Sequence, residues 1–258
     1  MSDVLQSRGV SVHYGGVQAL ADVDLEVREG ELVGLIGPNG AGKTTFVDAL
    51  TGFVRYRGTV TLDGQDLAGM PPHQRARRGL ARTWQSIELF DDLTVWENLA
   101  VGSRRTSFWG LARELIRPAA MGTSEIERAL DLVELGWAAD LMPDELSQGQ
   151  RKLVGVARAI APGPRLLLLD EPAAGLDTGE SEELGRRLRA LAHEGSPMLL
   201  IDHDMGLVLG VCDRIVVLEF GKVIASGTPD EVRRDRRVVE AYLGSAGAEL
   251  VDVTGDGG

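Results

Sequence analysis

The eight residues from Gly37 to Thr44 read Gly-Pro-Asn-Gly-Ala-Gly-Lys-Thr and match the phosphate-binding pattern G-x-x-x-x-G-K-[ST]. Glycines at these positions let backbone N–H groups turn inward around phosphate oxygens, and a following helix adds the positive end of its dipole. Lys43 is suited to the terminal phosphates and the Thr44 hydroxyl to Mg²⁺. Only three of the 27 basic residues are lysines, and one of them falls here. We therefore interpret the segment as a nucleotide-binding loop rather than as an incidental Gly-rich turn.

A second candidate site lies where an apolar run, residues 166–169, ends in the carboxylates Asp170 and Glu171. A strand that is apolar on both faces is typical of a buried parallel sheet, and its carboxyl end opens into the crevice where such sheets bind ligands. Because successive strand side chains point to opposite faces, the two carboxylates should have different roles. We assign Asp170 to Mg²⁺ and Glu171 to the polarisation of an attacking water. A solvated acidic strand end is the alternative, and the neighbouring phosphate loop disfavours it.

His203 follows the apolar run 198–201 in the same way. A lone histidine at a strand end is more often a structural hydrogen-bonding group than a catalytic one. On the same sheet edge it could instead contact a γ-phosphate. Spacing alone leaves both roles open.

A second glycine motif, Leu-Ser-Gln-Gly-Gln at residues 146–150, precedes a predicted helix over residues 151–160. Ser147 is a favourable N-cap residue, and Gly149 leaves the backbone open, so a second anion could bind at this helix start. For the pentapeptide alone, ordinary helix capping is the favoured explanation.

The hydrophobic pattern predicts the elements that position these motifs. Short apolar runs predict strands at residues 10–14, 21–27, 32–36, 59–62, 166–169, 198–201 and 214–218, with an Asp63-Gly64 turn after the fourth. The pattern predicts helices at residues 44–50, 94–101, 104–117, 151–160 and 181–192, and one opened by a Ser124–Glu127 capping box. Strands that alternate with helices favour a mainly parallel sheet.

The composition restricts the partners. The chain has 258 residues and a formal net charge of −12, which disfavours nucleic-acid backbones and anionic lipid surfaces as general partners. A single cysteine, Cys212, excludes an intrachain disulfide framework and is expected to be buried. The sequence carries no signal-peptide pattern at its start and no apolar run long enough to span a membrane, so we expect a cytosolic protein.

One basic cluster in this acidic chain consists of Arg75, Arg77, Arg78 and Arg82. Such a cluster could indicate nucleic-acid binding. A solvated helix face is the more ordinary explanation in a chain of this charge. We therefore expect these arginines to lie on an exposed helix.

Taken in order, the motifs resemble those of the ATP-binding subunits of ABC transporters. The series comprises the phosphate loop, Gln85 in Arg-Thr-Trp-Gln, the 146–150 motif, Asp170-Glu171, Asp177 in Ala-Gly-Leu-Asp, and His203. The resemblance covers about residues 4–244 and is specific in order and spacing. Further segments are similar to the branched-chain amino-acid uptake branch, namely Tyr14-Gly15-Gly16, Leu-Thr-Val-Trp-Glu-Asn-Leu at 93–99, His203-Asp204-Met205 and Ala241-Tyr242-Leu243-Gly244.

The resemblance implies a fold and a domain organisation. The expected fold is an α/β P-loop NTPase of ABC type, with a mainly parallel sheet core, an antiparallel β subdomain and a helical subdomain. Its ATP-binding domain would span residues 1–244, with the core and β subdomain at about 4–85 and 160–244 and the helical subdomain at about 86–159. The Gly- and Asp-rich segment 245–258 is expected to be a disordered tail.

The resemblance also implies roles for individual residues. Tyr14 would stack on adenine, Gln85 would sense Mg²⁺ and the transmembrane partner, and Ser147 and Gly149 would close on ATP bound by the opposite subunit. Asp177 would lie at the dimer seam. The implied catalytic residues are Glu171, His203 and Gln85, and the implied metal ligands are Thr44, Gln85 and Asp170. The implied nucleotide-binding residues are Tyr14, Gly37, Pro38, Asn39, Gly40, Ala41, Gly42, Lys43, Thr44, Thr45, Ser147, Gly149 and Gln150.

The implied function is a Mg²⁺-dependent ATPase that powers solute transport, with branched-chain amino-acid uptake as the expected process and ATP and Mg²⁺ as cofactors. Transmembrane permease subunits and a second ATP-binding subunit, identical or related, would be its partners, and nucleic acid would not. The subunit would be cytoplasmic and peripheral on the inner face of the cell membrane. Transport of urea, amides or other solutes is an alternative. A soluble ABC ATPase and a catalytically silent nucleotide-binding module are two more, although the presence of Glu171 and His203 argues against a silent module.

Overall fold

The computed structural model describes residues 2–83, 89–103 and 123–242, which form alternating strands and helices. The strands are β1 (Asp3–Tyr14), β2 (Val17–Arg28), β3 (Leu32–Ile36), β4 (Arg57–Leu62), β5 (Gln65–Asp66), β6 (Leu80–Thr83), β7 (Leu166–Asp170), β8 (Met198–Ile201), β9 (Arg214–Glu219) and β10 (Lys222–Gly227). The α-helices are α1 (Lys43–Thr51), α2 (Pro72–Arg77), α3 (Val95–Ser103), α4 (Thr123–Leu132), α5 (Gln148–Ile160), α6 (Thr178–His193), α7 (Met205–Val211) and α8 (Pro229–Arg234). A further helical segment covers residues 236–242.

A six-stranded sheet in the order β10-β9-β3-β8-β7-β6 forms the centre of the fold. All neighbouring strands pair in parallel except β10 and β9, which are antiparallel. The strand β3 lies between β8 and β9, with Leu32 opposite Met198 and Val33 opposite Arg214. All five residues of β3 are buried, as a strand covered on both faces requires.

Strand alternation divides the core into two hydrophobic clusters. Leu167 and Leu169 of β7 belong to a cluster that includes the apolar faces of α3 to α7. Leu166 and Leu168 point to the opposite face, where they join residues of α1 and of a second sheet. The period of two along a strand therefore decides which layer each side chain contacts.

The second sheet has the order β2-β1-β4-β5 and is antiparallel throughout. Its last hairpin turns at Asp63 and Gly64, which have φ angles of 48° and 72°. Two consecutive positive φ angles are what a two-residue hairpin requires, and Asp-Gly is a favoured pair there. The predicted turn is confirmed, and the sheet packs on the α1 side of the central sheet.

The predicted strands 32–36 and 198–201 agree with β3 and β8, whereas β1 and β2 extend well beyond the predicted bounds. The helix predicted at 181–192 begins earlier, at Thr178, because the Asp177 side chain caps it by accepting a hydrogen bond from the Glu180 amide. The predicted Ser124 cap is wrong, since α4 already begins at Thr123. The predicted helix 104–117, Gln85 and the segment 245–258 lie outside the described residues. The domain bounds remain a prediction.

The expectation of an exposed arginine face is wrong for two of the four residues. Arg75 on α2 is buried and donates to the carbonyl oxygens of Ala49 and Leu50 at the end of α1. Arg82 lies on the strand β6 rather than on a helix, and its side chain is only 7% exposed. Arg77 and Arg78 are exposed as expected. Within the described ranges, no helix combines the length and apolar character needed to cross a bilayer.

Candidate functional site

The phosphate loop leaves β3 at Gly37 and enters α1 at Gly42. A Cβ atom on Gly37 would lie 2.1 Å from the carbonyl oxygen of Leu218, so the close approach of the loop to β9 requires glycine. Gly42 has a φ of 104° and caps α1 without a side-chain hydrogen bond. The first turn of α1 therefore offers its backbone N–H groups to a ligand instead of to a capping side chain.

Lys43 folds back over the loop. Its Nζ donates hydrogen bonds to the carbonyl oxygens of Gly37 at 2.6 Å and Pro38 at 3.0 Å. Burial lowers the pKa of Lys43, and the nearby carboxylates of Glu171 and Asp170 oppose that shift. The ammonium group is therefore hydrogen-bonded to the loop and within electrostatic reach of Asp170 and Glu171.

The remaining loop residues present a mixture of exposed and anchored positions. Asn39, Gly40 and Thr44 are exposed, and Thr45 is partly buried in the first turn of α1. Ala41 is buried, and its carbonyl oxygen accepts a 2.9 Å hydrogen bond from the Gly221 amide. The β9–β10 turn thus anchors the middle of the loop.

The strand β2 borders the loop on the other side. The position of a Cβ on Gly42 would be 2.9 Å from the Ala19 carbonyl oxygen and 2.8 Å from the Leu20 side chain. Tyr14 ends β1, pairs with Val17 across the turn before β2, and is 51% exposed. Its ring is accessible on the sheet that borders the phosphate loop.

Asp170 ends β7 and is bound by Arg82. One guanidinium nitrogen of Arg82 donates to Asp170 Oδ2 at 2.7 Å, and the other donates to Asp48 Oδ1 on α1 at 2.6 Å. The side chains of Asp170 and Asp48 are 12% and 26% exposed. The arginine-rich pattern predicts a solvated helix at Arg82 and gives no signal for this bridge. Its two carboxylates are 88 and 34 positions away along the chain.

The chain turns sharply at Glu171, which follows β7 with a φ of 48°. Its amide donates to the Ile201 carbonyl oxygen at 2.7 Å, so the residue stays attached to the end of β8. The two carboxylates contact different groups, since Asp170 binds Arg82 whereas Glu171 lies beside His203. Their different roles remain a prediction.

His203 lies beside Glu171 at the same edge of the sheet. Its Nδ1 is 3.9 Å from Glu171 Oε2 and 3.6 Å from Asp202 Oδ1. The imidazole is 66% exposed, whereas Asp202 is buried and accepts hydrogen bonds from the amides of Ala173 and Asp204. The imidazole is therefore accessible to a ligand, while the preceding residue, Asp202, is held in place by two backbone amides.

The oxygen donors near the loop fit a magnesium ion that is held jointly with phosphate. The candidate protein ligands among the described residues are the exposed Thr44 hydroxyl and the Asp170 carboxylate, both hard oxygen donors. Among the described residues, no three or more His, Cys, Asp or Glu side chains are grouped so that they could enclose a metal. Magnesium usually takes one or two protein oxygens together with phosphates and waters, so this sparse set suits it.

The second glycine motif begins α5. Ser147 is its N-cap residue, as predicted: its hydroxyl accepts from the Gln150 amide, and the Gln150 side chain accepts from the Ser147 amide. The expectation that Gly149 leaves its backbone open is wrong. Its amide donates to Glu180 Oε1 at 3.0 Å, so a carboxylate of α6 already binds this helix start. The sequence pattern gave no signal for Glu180.

Tyr242, the last described residue, contacts the phosphate loop. The ring packs against the cluster that contains Ile36. Burial raises the pKa of Tyr242 to about 12, and a hydrogen bond from the Gly37 backbone opposes the shift. Residue 242 therefore touches the first glycine of the loop, a contact that the sequence likeness did not assign.

Comparisons with known proteins agree over most of the chain. Residues 20–174 match the family model for ABC transporters, and residues 222–248 match the model for branched-chain amino acid ATP-binding cassette transporters. The chain is 41% identical over 251 residues to the high-affinity branched-chain amino acid transport ATP-binding protein LivG of Salmonella typhimurium, covering 94% of this chain and 98% of that protein. BraF of Pseudomonas aeruginosa, with the same description, is 39% identical with the same coverage.

A solved structure also matches. The ADP conformation of MJ1267, an ATP-binding cassette of an ABC transporter, superposes with a TM-score of 0.81 at 29% identity. The match covers 95% of this chain and all of the other. The predicted fold class is confirmed by this likeness and by the parallel central sheet.

Proposed function

The chain belongs to the ATP-binding proteins of ABC transporters, and from this premise we propose that it hydrolyses ATP with Mg²⁺ to power the uptake of branched-chain amino acids. The observation that carries the proposal is the convergence at one sheet edge. Lys43 of the phosphate loop lies within electrostatic reach of Asp170 and Glu171, and His203 lies 3.9 Å from Glu171. A cation for phosphate, a metal ligand and a candidate base thus meet there.

In the proposed mechanism the loop binds the phosphates through the backbone N–H groups of residues 37–44. Lys43, which is hydrogen-bonded to loop carbonyl oxygens, would transfer its N–H donors to the terminal phosphates. The exposed ring of Tyr14 would stack on adenine. These contacts would hold the triphosphate beside the residues that follow β7.

Residues that follow β7 and β8 would catalyse hydrolysis. Glu171 would accept a proton from the attacking water, and His203 would donate a hydrogen bond to the γ-phosphate as charge develops. Thr44 and Asp170 would hold Mg²⁺, which when bound neutralises charge on the β- and γ-phosphate oxygens. Gln85, outside the described residues, remains a predicted contributor.

The base assignment is testable with Glu171→Gln. The amide keeps the size of the side chain and removes the proton acceptor, so turnover should fall by about 100-fold or more while ATP binding stays within about twofold. Phosphate release and equilibrium binding of a fluorescent ATP analogue measure the two effects. Undiminished phosphate release would overturn the role of Glu171. Loss of binding as well would indicate a structural defect.

The solute assignment rests on likeness to LivG and BraF and on the match of residues 222–248. We propose that permease subunits in the membrane and a second ATP-binding subunit complete the transporter, with this chain on the cytoplasmic face. Co-expression with the permease subunits of a branched-chain amino acid transporter, followed by reconstitution with a binding protein for these amino acids, tests this. Leucine, isoleucine or valine should stimulate phosphate release. Stimulation by urea or amides, with none by these amino acids, would overturn the solute and leave the ATPase intact.

A further inference from the structure

We propose that Arg82 is a positioning residue for the metal site: its guanidinium binds Asp170 Oδ2 and, through Asp48, ties that carboxylate to α1, which would fix the Asp170 carboxylate for Mg²⁺ binding. The inference rests on the proposed function, since it concerns the same metal site. It adds a residue for which the family resemblance implied no role. It also links three elements that border the site, namely β6, β7 and α1.

Strand geometry explains why Arg82 can do this. On β6, Leu80 lies on the face that packs against α1, and two residues later Arg82 has the same direction. On β7, Leu166 and Leu168 lie on that face as well, so the carboxylate of Asp170 does too. The parallel register sets Arg82 opposite Leu168. The guanidinium therefore reaches Asp170 diagonally across the two strand ends.

The other partner anchors the bridge to the phosphate loop. Asp48 lies on α1, five residues after Lys43, between the buried Val47 and Ala49. Its 2.6 Å contact fixes the second arm of the guanidinium. A planar fork with two separated donors can hold two carboxylates at once, whereas an ammonium group is a single point charge. Lysine at position 82 therefore cannot reproduce the bridge.

Because Arg82 is buried, its positive charge needs carboxylate partners nearby. With Arg82 only 7% exposed, its charge is matched by the two carboxylates and not by bulk water. The net charge of the three groups is −1, which leaves one negative charge to attract a cation. Partners that orient a metal-binding group typically change metal affinity by about 10- to 100-fold when they are mutated. We expect an effect of this kind at position 82.

Arg82→Lys tests the proposal, with Arg75→Lys as the matched control. Arg75 is also a buried arginine against α1, but it donates to the backbone carbonyl oxygens of Met70, Ala49 and Leu50 and lies over the Tyr56 ring. Binding of the slowly hydrolysed analogue ATPγS to the full chain is titrated with Mg²⁺ after treatment with EDTA. Arg82→Lys should raise the half-saturating Mg²⁺ concentration about tenfold and leave Mg²⁺-free nucleotide affinity within about twofold. Arg75→Lys should change neither quantity.

Failure of the positioning role of Arg82 and failure of the proposed function give different results. An equal Mg²⁺ requirement in wild type and Arg82→Lys, or equal losses in both arginine variants, would overturn the positioning role. Absence of Mg²⁺-dependent ATPγS binding in wild type would instead overturn the proposed function, and this inference with it. If Arg82→Lys does not fold, Asp48→Asn tests the bridge from its other end. It should raise the Mg²⁺ requirement about threefold, and no change would overturn the proposal.

Discussion

The starts of α1 and α5 are both suited to an anion, yet they are satisfied in different ways. At α1 the cap is Gly42, which supplies no side-chain hydrogen bond, and Lys43 folds over the loop. At α5 the Ser147–Gln150 capping box and the Glu180 carboxylate already bind the first amides. A phosphate can enter the first site directly. If the α5 start meets a phosphate bound by a second subunit, as the resemblance implies, that phosphate would compete with the Glu180 carboxylate of the same chain.

We therefore expect the two helix starts to differ in their affinity for phosphate. Removing a donor from the first site should weaken nucleotide binding. Removing the Glu180 carboxylate from the start of α5 should strengthen the proposed contact with a nucleotide that is bound by a second subunit.

The largest expected effect comes from Lys43→Ala. Loss of a charge-assisted donor to the phosphates should reduce nucleotide affinity by about 100-fold. Lys152→Ala is the matched control, because Lys152 lies on α5 and is half-buried like Lys43. Titration with a fluorescent ADP analogue measures both variants. Equal affinities in the two would contradict the assignment of the first site.

Ser147→Ala should act on stability. The alanine removes the hydroxyl that accepts from the Gln150 amide, which should lower the free energy of unfolding by about 1 kcal/mol. Urea denaturation monitored by circular dichroism measures the change. An unchanged midpoint would show that Glu180 alone is sufficient to cap α5.

Glu180→Gln should lower the ATP concentration required for phosphate release, an effect opposite to and smaller than the loss of nucleotide affinity in Lys43→Ala. The neutral amide binds the Gly149 N–H less strongly than the carboxylate does, so a partner's phosphate should compete better. The half-saturating ATP concentration for phosphate release should fall about threefold. Glu182→Gln, an exposed site two residues further along α6, is the control. A rise in the ATP requirement would instead indicate that Glu180 orients α5 for binding.

The smallest expected effect is a pH dependence confined to the first site. Because burial lowers the pKa of Lys43, its charge is lost at a lower pH than that of an exposed lysine. Nucleotide affinity should therefore decrease as pH rises, by up to about threefold between pH 7 and pH 9. Lys43→Arg keeps the charge throughout and should show a flat profile. A falling profile in that variant would assign the titration to another group.

The sequence predicted the elements whose signals are local. The apolar run of β3, the loop between β3 and α1, and the Ser147 cap depend on neighbouring residues, and they are found as predicted. The Arg82 bridge and the Glu180–Gly149 contact join residues that are distant in the chain, so neither spacing nor composition indicates them. Arg82 was misread because a cluster of arginines resembles a solvated face until the strand that carries one of them is identified.

The position of β3 has a consequence for biosynthesis. Leu32 pairs with Met198 and Val33 with Arg214, so both neighbours of this strand leave the ribosome long after it does. Until then an entirely apolar strand must remain unpaired, and such long-range pairing is slow and exposes the nascent chain to aggregation. A fragment ending at residue 174, where the match to the ABC transporter family model ends, would lack both neighbours. Expression of that fragment alone should yield insoluble protein.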